Sequence, residues 1–196
     1  MDYLDLFRSS GALLEGHFRL SSGLHSGGYL QCALVLQHPR DAEVLGKALA
    51  ERLAGLRPTV VLSPALGGLI IGHEVGRALG VRAIFAERQD GKLALRRGFT
   101  LADSERVLVV EDVMTTGGST RETMEVAKAA GGQVVGTASI VDRSPSAGSG
   151  QAGTLQFDVP FISLLHIPLP TYEPDQCPLC ALGLPVVKPG SRPVVV

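Results

Sequence analysis

Arg106-Val107-Leu108-Val109-Val110-Glu111-Asp112-Val113-Met114-Thr115-Thr116-Gly117-Gly118-Ser119-Thr120 is the stretch that decides the fold, because an apolar strand ends in two adjacent carboxylates and enters a Thr/Gly/Ser loop. The oxygens of Glu111 and Asp112 are acceptors suited to a vicinal sugar diol. The loop behind them offers backbone N–H groups and hydroxyls, with no bulky side chain to block a phosphate. Ser119 and Glu122 have capping-box spacing, which predicts a helix starting there whose positive end adds to an anion site. A phosphorylated pentose is the ligand these residues imply.

Two commoner nucleotide loops are excluded. No Gly-Lys-Ser/Thr follows, and the acidic pair precedes the glycines instead of lying about twenty residues beyond them. An ordinary strand-to-helix turn would place two carboxylates side by side without a chemical reason.

Working outward, Thr59-Val60-Val61-Leu62 is a short apolar run broken by Ser63-Pro64-Ala65-Leu66-Gly67-Gly68, after which Leu69 to Leu79 has helical spacing. Upstream, from Asp41, Val44, Leu45, Ala48, Leu49 and Leu53 recur at helical spacing and stop near Gly55 and Pro58. Arg82 to Phe85 reads as a strand, 86–99 as a polar interruption, Thr120 to Ala130 as a helix and Gln133 to Val141 as a further strand. Strands alternating with helices predict an α/β class with a central parallel sheet flanked by helices, in which ligands gather at the carboxyl ends of strands. Both glycine loops, after Leu62 and after Val110, fall at such ends.

The 196 residues, 45% apolar and 19% charged, suit one well-filled domain spanning 1–196. A small N-terminal hood over about 1–36 is expected, with a short helix within 2–15 and a Gly/Ser-rich stretch over 16–31 that has strand-like pieces around Phe18 and Tyr29. At the other end, about 168–196 is an irregular Pro-rich C-terminal arm, too proline-dense for a helix and expected to pack on the body. Ser144-Pro145-Ser146-Ala147-Gly148-Ser149-Gly150 reads as a flexible surface loop. A net charge of −1 gives no global attraction to nucleic acid or membrane, so any anion must be held by a local site. With no apolar run of membrane-spanning length, no basic-apolar leader and an odd three cysteines, the chain is expected to be soluble and cytoplasmic.

Val107 to Thr120, VLVVEDVMTTGGST, resembles the ribose-phosphate signature of type I phosphoribosyltransferases. Within that family, GHFRLSSGLHSGGYLQ over 16–31 is similar to the hood of the orotate branch, and Ile140-Val141-Asp142-Arg143 to the segment carrying its base-binding arginine. The resemblance implies the type I fold and transfer of a phosphoribosyl group from phosphoribosyl diphosphate (PRPP) to orotate in pyrimidine biosynthesis. Mg2+ would arrive on PRPP with no direct protein ligand. PRPP would be bound by Ala65, Leu66, Gly67 and Gly68 and by Glu111, Asp112, Val113, Met114, Thr115, Thr116, Gly117, Gly118, Ser119 and Thr120. Orotate would meet Thr115, Arg143, Ser22 and Gly23, and the catalytic residues would be Arg88, Lys92 and Asp112. A homodimer is implied as well, since the family's catalytic loop reaches into the neighbouring subunit. Charge separation at the anomeric carbon fits a site that positions and neutralises.

There are departures from the family pattern. Gly67 and Ser21 align where lysines are usual, and Glu87 stands where an arginine is expected in a loop over 86–92 that is shorter than usual. Arg96 and Arg97 read better as a solvated hairpin edge than as phosphate ligands. His17, His25, His38, His73 and His166 show no metal-ligand spacing, though His25 sits in the hood. Cys177-Pro178-Leu179-Cys180 has the spacing of half a zinc knuckle, and a metal there would need a histidine or a second subunit.

Two rival functions stay open at this level. One is transfer to a purine or xanthine base. The other is a PRPP-sensing regulator that binds RNA or DNA, against which stand the near-zero net charge, the few aromatics and the lack of an added helix-turn-helix.

Overall fold

The computed structural model describes residues 2–20, 22–145 and 155–189. Helix α1 (Tyr3–Ser9) is capped by Asp2, whose carboxylate accepts from the Leu4 N–H at 2.9 Å, and a hairpin of β1 (Leu13–Arg19) and β2 (His25–Leu30) follows. Next come α2 (Ala33–Leu36), α3 (Pro39–Leu53), β3 (Val60–Pro64), α4 (Gly68–Leu79), β4 (Arg82–Gln89) and β5 (Lys92–Leu95). Then follow β6 (Arg106–Met114), α5 (Gly118–Ala129), β7 (Gln133–Asp142), β8 (Phe161–His166), β9 (Thr171–Tyr172) and α6 (Pro178–Ala181). No described helix is long and apolar enough to cross a membrane.

Six strands form the main sheet in the order β5-β4-β3-β6-β7-β8, with only the β4–β5 pair antiparallel. A parallel strand covered on both faces must be apolar on both, which is why Val60-Val61-Leu62 and Val107 to Val110 are continuous hydrophobic runs and fully buried. Strand alternation divides them between two cores. Val61, Leu108 and Val110 face Leu45, Leu49, Ile71 and Val75 of α3 and α4, whereas Val60, Leu62, Val107 and Val109 face Met124 and Ala127 of α5.

The expected central parallel sheet with flanking helices is therefore present, and its order fixes where ligands bind. From β3 the chain crosses through α4 outward to β4; from β6, on the other side of β3, it crosses through α5 to β7. The order reverses between β3 and β6, and the divergence of these crossovers opens a crevice at the strands' carboxyl ends.

Five local expectations are corrected. Helix α1 stops at Ser9, because Gly11 turns the chain with φ +69° and β1 begins at Leu13. The polar interruption over 86–99 is largely a hairpin: β4 continues to Gln89, and Asp90-Gly91, both left-handed at φ +52° and +83°, turn it into β5. Strand β6 runs through both acids to Met114, so Glu111 and Asp112 lie within it. Helix α5 is entered through Gly117 at φ +74° and not through a Ser119 cap; Glu122 instead accepts from the Leu93 N–H at 2.7 Å. The arm does contain a helix, the four-residue α6, tolerated because Pro178 occupies a first-turn position where no N–H donor is needed.

The described part of the arm packs on the hood. Strand β9 joins β2 in a second sheet ordered β1-β2-β9, and Val187 brackets β1 by accepting from the Arg19 N–H and donating to the His17 carbonyl. Of the loop expected over 144–150, residues 146–150 lie outside the described residues, and Ser144 is buried with its carbonyl accepting from His166 at 3.0 Å. Ser21 also lies outside them.

Candidate functional site

Two loops meet at the crevice. After β3, Ala65 and Leu66 are joined by a cis peptide bond, the Ala65 N–H is tied to the Ala86 carbonyl, and Leu66 is 82% exposed. Gly67 follows so close to Asp112 that a Cβ there would lie 2.7 Å from its Oδ1. A side chain there would have to displace the Asp112 carboxylate, and the bare backbone of glycine is open to a ligand. After β6, Thr115 and Thr116 are exposed, and Gly118, Ser119 and Thr120 begin a helix whose first backbone bond is from the Arg121 N–H to the Gly117 carbonyl. The first N–H groups of α5 thus have no partner within the helix and face the crevice with its positive end.

Glu111 and Asp112 are consecutive on a strand, so their carboxylates leave it on opposite faces. Glu111 lies on the α5 side, where its Oε2 accepts from the Thr120 hydroxyl at 2.8 Å. Its carboxyl is pushed up to about 7 by burial, opposed by the Thr120 hydroxyl and helped by the neighbouring charge of Asp112. Asp112 lies on the Gly67 side with its Oδ1 accepting from the Val113 N–H at 2.9 Å, and burial raises its carboxyl above the usual range. A buried acid held this way is easily ionised by a cationic or Mg2+-bearing ligand and poorly tolerated without one.

A stability prediction follows from Glu111. Between its ordinary 4.5 and about 7, unfolded chains release the proton while folded chains keep it. Stability without ligand should therefore fall as pH rises across that window, by on the order of 3 kcal/mol. Urea midpoints at about pH 5 and about pH 8 should differ in the wild type and differ much less in Glu111→Gln. An equal fall in both would place the titrating group elsewhere.

Beyond β7, Arg143 is anchored by its N–H donating to the Met114 carbonyl at 2.8 Å, one strand from Asp112. Its guanidinium is half-buried, which lowers its pKa, and its Nε is buried with no hydrogen-bond partner among the described residues. Cys32 and Tyr29 of the hood lie near enough to act on its charge. Cys32 also approaches the Asp112 carbonyl at 3.8 Å, so one thiol neighbours both Asp112 and Arg143. Burial, then Asp112, push that thiol well above its ordinary pKa, so it is inert.

The structure brings Ala65, Leu66, Gly67, Gly68, the 111–120 segment and Arg143 to one end of the sheet. Arg88 lies beside them on β4, donating to the Gly91 carbonyl at 2.7 Å and pairing with Glu122 of α5 at 3.1 Å; Lys92 opens β5 with an exposed side chain. Arg97 is tied to Glu87 at 2.7 Å, as expected of a hairpin edge. Ser22 and Gly23 lie in the turn between β1 and β2, where the Gly23 N–H donates to the Leu20 carbonyl at 2.9 Å.

Sequence reasoning missed Tyr29 as a base-side residue and Arg121 as a brace. Arg121 donates to the Thr116 carbonyl at 2.7 Å and to the Gln156 carbonyl at 3.0 Å, with its guanidinium 4.9 Å from the Phe157 ring centre. The signal for Tyr29 was an aromatic in a Gly/Ser-rich stretch of a chain with only three tyrosines. Arg121 had none, because Gln156 and Phe157 lie far from it in sequence.

Comparison with known proteins agrees with this geometry. The family model for the phosphoribosyl transferase domain matches residues 34–154. The orotate phosphoribosyltransferase of Carboxydothermus hydrogenoformans is 53% identical over 194 residues, 98% of each chain, and that of Heliobacterium modesticaldum is 54% identical over 192 residues, 96% of each. Among solved structures, Mycobacterium tuberculosis H37Rv orotate phosphoribosyltransferase in complex with PRPP superposes with a TM-score of 0.62 at 26% identity, over 85% of this chain and 96% of that one.

Proposed function

This chain belongs to the orotate phosphoribosyltransferase family, and on that premise we propose that it transfers the 5-phosphoribosyl group of PRPP to N1 of orotate, giving orotidine 5′-monophosphate and diphosphate in pyrimidine biosynthesis. The observation that carries the reading is the switch-point crevice itself, where Asp112 packs on Gly67 and the Arg143 Nε, without a partner among the described residues, stands one strand away. A sugar phosphate and an anionic base fit opposite sides of it.

In the reaction the C1–O bond to diphosphate breaks and the C1–N1 bond forms, through a sugar that carries positive charge. Thr115 to Thr120 hold the 5-phosphate through backbone N–H groups and the helix end, while Glu111 and Asp112 hold the ribose hydroxyls and face the developing cation. Ala65 to Gly68 receive the diphosphate along open backbone. Arg88 reaches the leaving group by exchanging Glu122 for phosphate oxygens, with Lys92 on the same hairpin, and closure of that hairpin would exclude water. Thr115 and Arg143 hold the base.

The donor set also fits Mg2+ carried on PRPP: oxygen ligands only, with one carboxylate beside the diphosphate loop, suit a hard cation that keeps waters and phosphate oxygens. When bound it supplies neutralisation of the departing diphosphate. The family resemblance supports a homodimer, to be read from the mass in solution. Three cysteines present as thiols suit the cytoplasm.

The test is product formation from PRPP with orotate, hypoxanthine, xanthine and adenine in parallel. Turnover of orotate alone is expected, and the relatives at over 50% identity favour it over the purine reading. Turnover of hypoxanthine or xanthine with none of orotate rejects the base. No turnover of any base, with a PRPP-dependent gel shift on nucleic acid, would make the chain a regulator.

A further inference from the structure

We propose that His17, His25, Cys177 and Cys180 form a closed, structural site for one tetrahedral zinc ion that clasps the C-terminal arm to the hood. One ligand atom from each residue lies within 4.8 Å of the other three. The pairs are His17 Nε2 to His25 Nδ1 at 2.9 Å, Cys177 Sγ to His17 Nε2 at 3.4 Å, Cys180 Sγ to His17 Nε2 at 3.7 Å and Cys180 Sγ to His25 Nδ1 at 3.3 Å. Zinc bonds of about 2.0 Å to nitrogen and about 2.3 Å to sulfur give a tetrahedron with N–N edges of ~3.3 Å and N–S edges of ~3.5 Å. Four of its six edges stand close to those lengths and the other two lie within 4.8 Å, so side-chain adjustment brings the four atoms around an ion.

Hydrogen bonding alone satisfies the cluster poorly. The Leu184 carbonyl only accepts, so its 2.9 Å contact fixes the proton of neutral His17 on Nδ1 and leaves Nε2 with a single lone pair. His25, Cys177 and Cys180 all converge on that lone pair. A cation at the centre gives every lone pair its own use, and the Leu184 contact is then the outer bond that orients a zinc-bound imidazole. Two thiolates with two imidazoles in tetrahedral array select zinc over the hard cations, and four protein ligands leave no open position for chemistry. Binding requires no oxidation: the two thiols release their protons to solvent and their sulfurs bond the ion.

The position explains the need. His17 and His25 sit on the two strands of the hood hairpin, Cys177 precedes α6 and Cys180 lies in it. The described arm is held to the hood by short contacts: the two-residue β9, Val187, the Ser26 hydroxyl donating to the Pro170 carbonyl and His17 donating to the Leu184 carbonyl. A helix of four residues has little stability of its own. Small irregular pieces of this kind are stapled by metals or disulfides, and here both cysteines are free thiols. The proposal is independent of the transferase reading.

The full-length chain, purified under reducing conditions without chelator, should carry one zinc per chain by elemental analysis. The Cys177→Ser/Cys180→Ser variant should retain less than about a tenth of that. Because the variant could unfold, the metal-free, reduced wild type is also titrated with Co2+ alone. A thiolate-to-cobalt charge-transfer band with a tetrahedral ligand-field spectrum, saturating at one equivalent and displaced by zinc, is expected. The absence of that band, or zinc kept by the folded double variant, overturns the site.

Discussion

Asp112→Asn is expected to lower kcat roughly 10²- to 10³-fold, the effect of removing one electrostatic partner of a charged transition state, while thermal stability stays level or rises. The two halves have one cause. Burial of Asp112 raises its carboxyl pKa, so the folded state disfavours the ionised form; the neutral amide is the same shape and keeps an oxygen for the Val113 N–H. The ionised acid is tolerated because a positively charged sugar is worth more to it than to a neutral amide. This is the usual opposition between activity and stability at a preorganised site. Steady-state kinetics with PRPP and orotate, run on the preparation used for thermal melts, decide it. A large fall in Tm would make Asp112 structural, and unchanged kcat would remove it from the reacting sugar.

The main sheet and its crevice were legible from a few residues because parallel strands and phosphate loops are local in sequence: Val60 to Leu62 and Val107 to Val110 had to be buried on both faces, and each ran into glycines. The β4–β5 hairpin was hidden although Asp90-Gly91 is a strong turn signal, since Glu87, Arg88 and Lys92 make an edge strand look like a polar loop. Ser119 has the spacing of a cap, but Gly117 can enter the helix at a φ no side chain favours and Glu122 is taken by β5. Of the hood–arm cluster only the cysteine half was legible, as half a zinc knuckle needing a histidine or a second subunit; which histidines complete it was not. Its histidines and cysteines lie some 160 residues apart, and only the pairing of β2 with β9 and of β1 with Val187 unites them.

Arg143→Ala should lower kcat/KM for orotate roughly 10²-fold, the ~3 kcal/mol of a charged hydrogen-bond partner lost from a desolvated pair, and leave the KM for PRPP within about threefold. A guanidinium nitrogen buried without a partner among the described residues is a cost to the folded protein, and an anionic base with adjacent carbonyl and carboxylate oxygens is the group that removes it. Arg143→Lys should fail to restore orotate use, because an ammonium has no planar fork and no donor at the position of Nε. The Ala variant should melt no lower than the wild type without ligand, since truncation deletes the unpaired donor. Kinetics over both substrates, with melts of the three proteins, separate the outcomes. A variant that kept its orotate kcat/KM and lost affinity for PRPP would move Arg143 to the phosphate side, leaving Thr115 and the hood's Tyr29 as the residues to mutate next for the base.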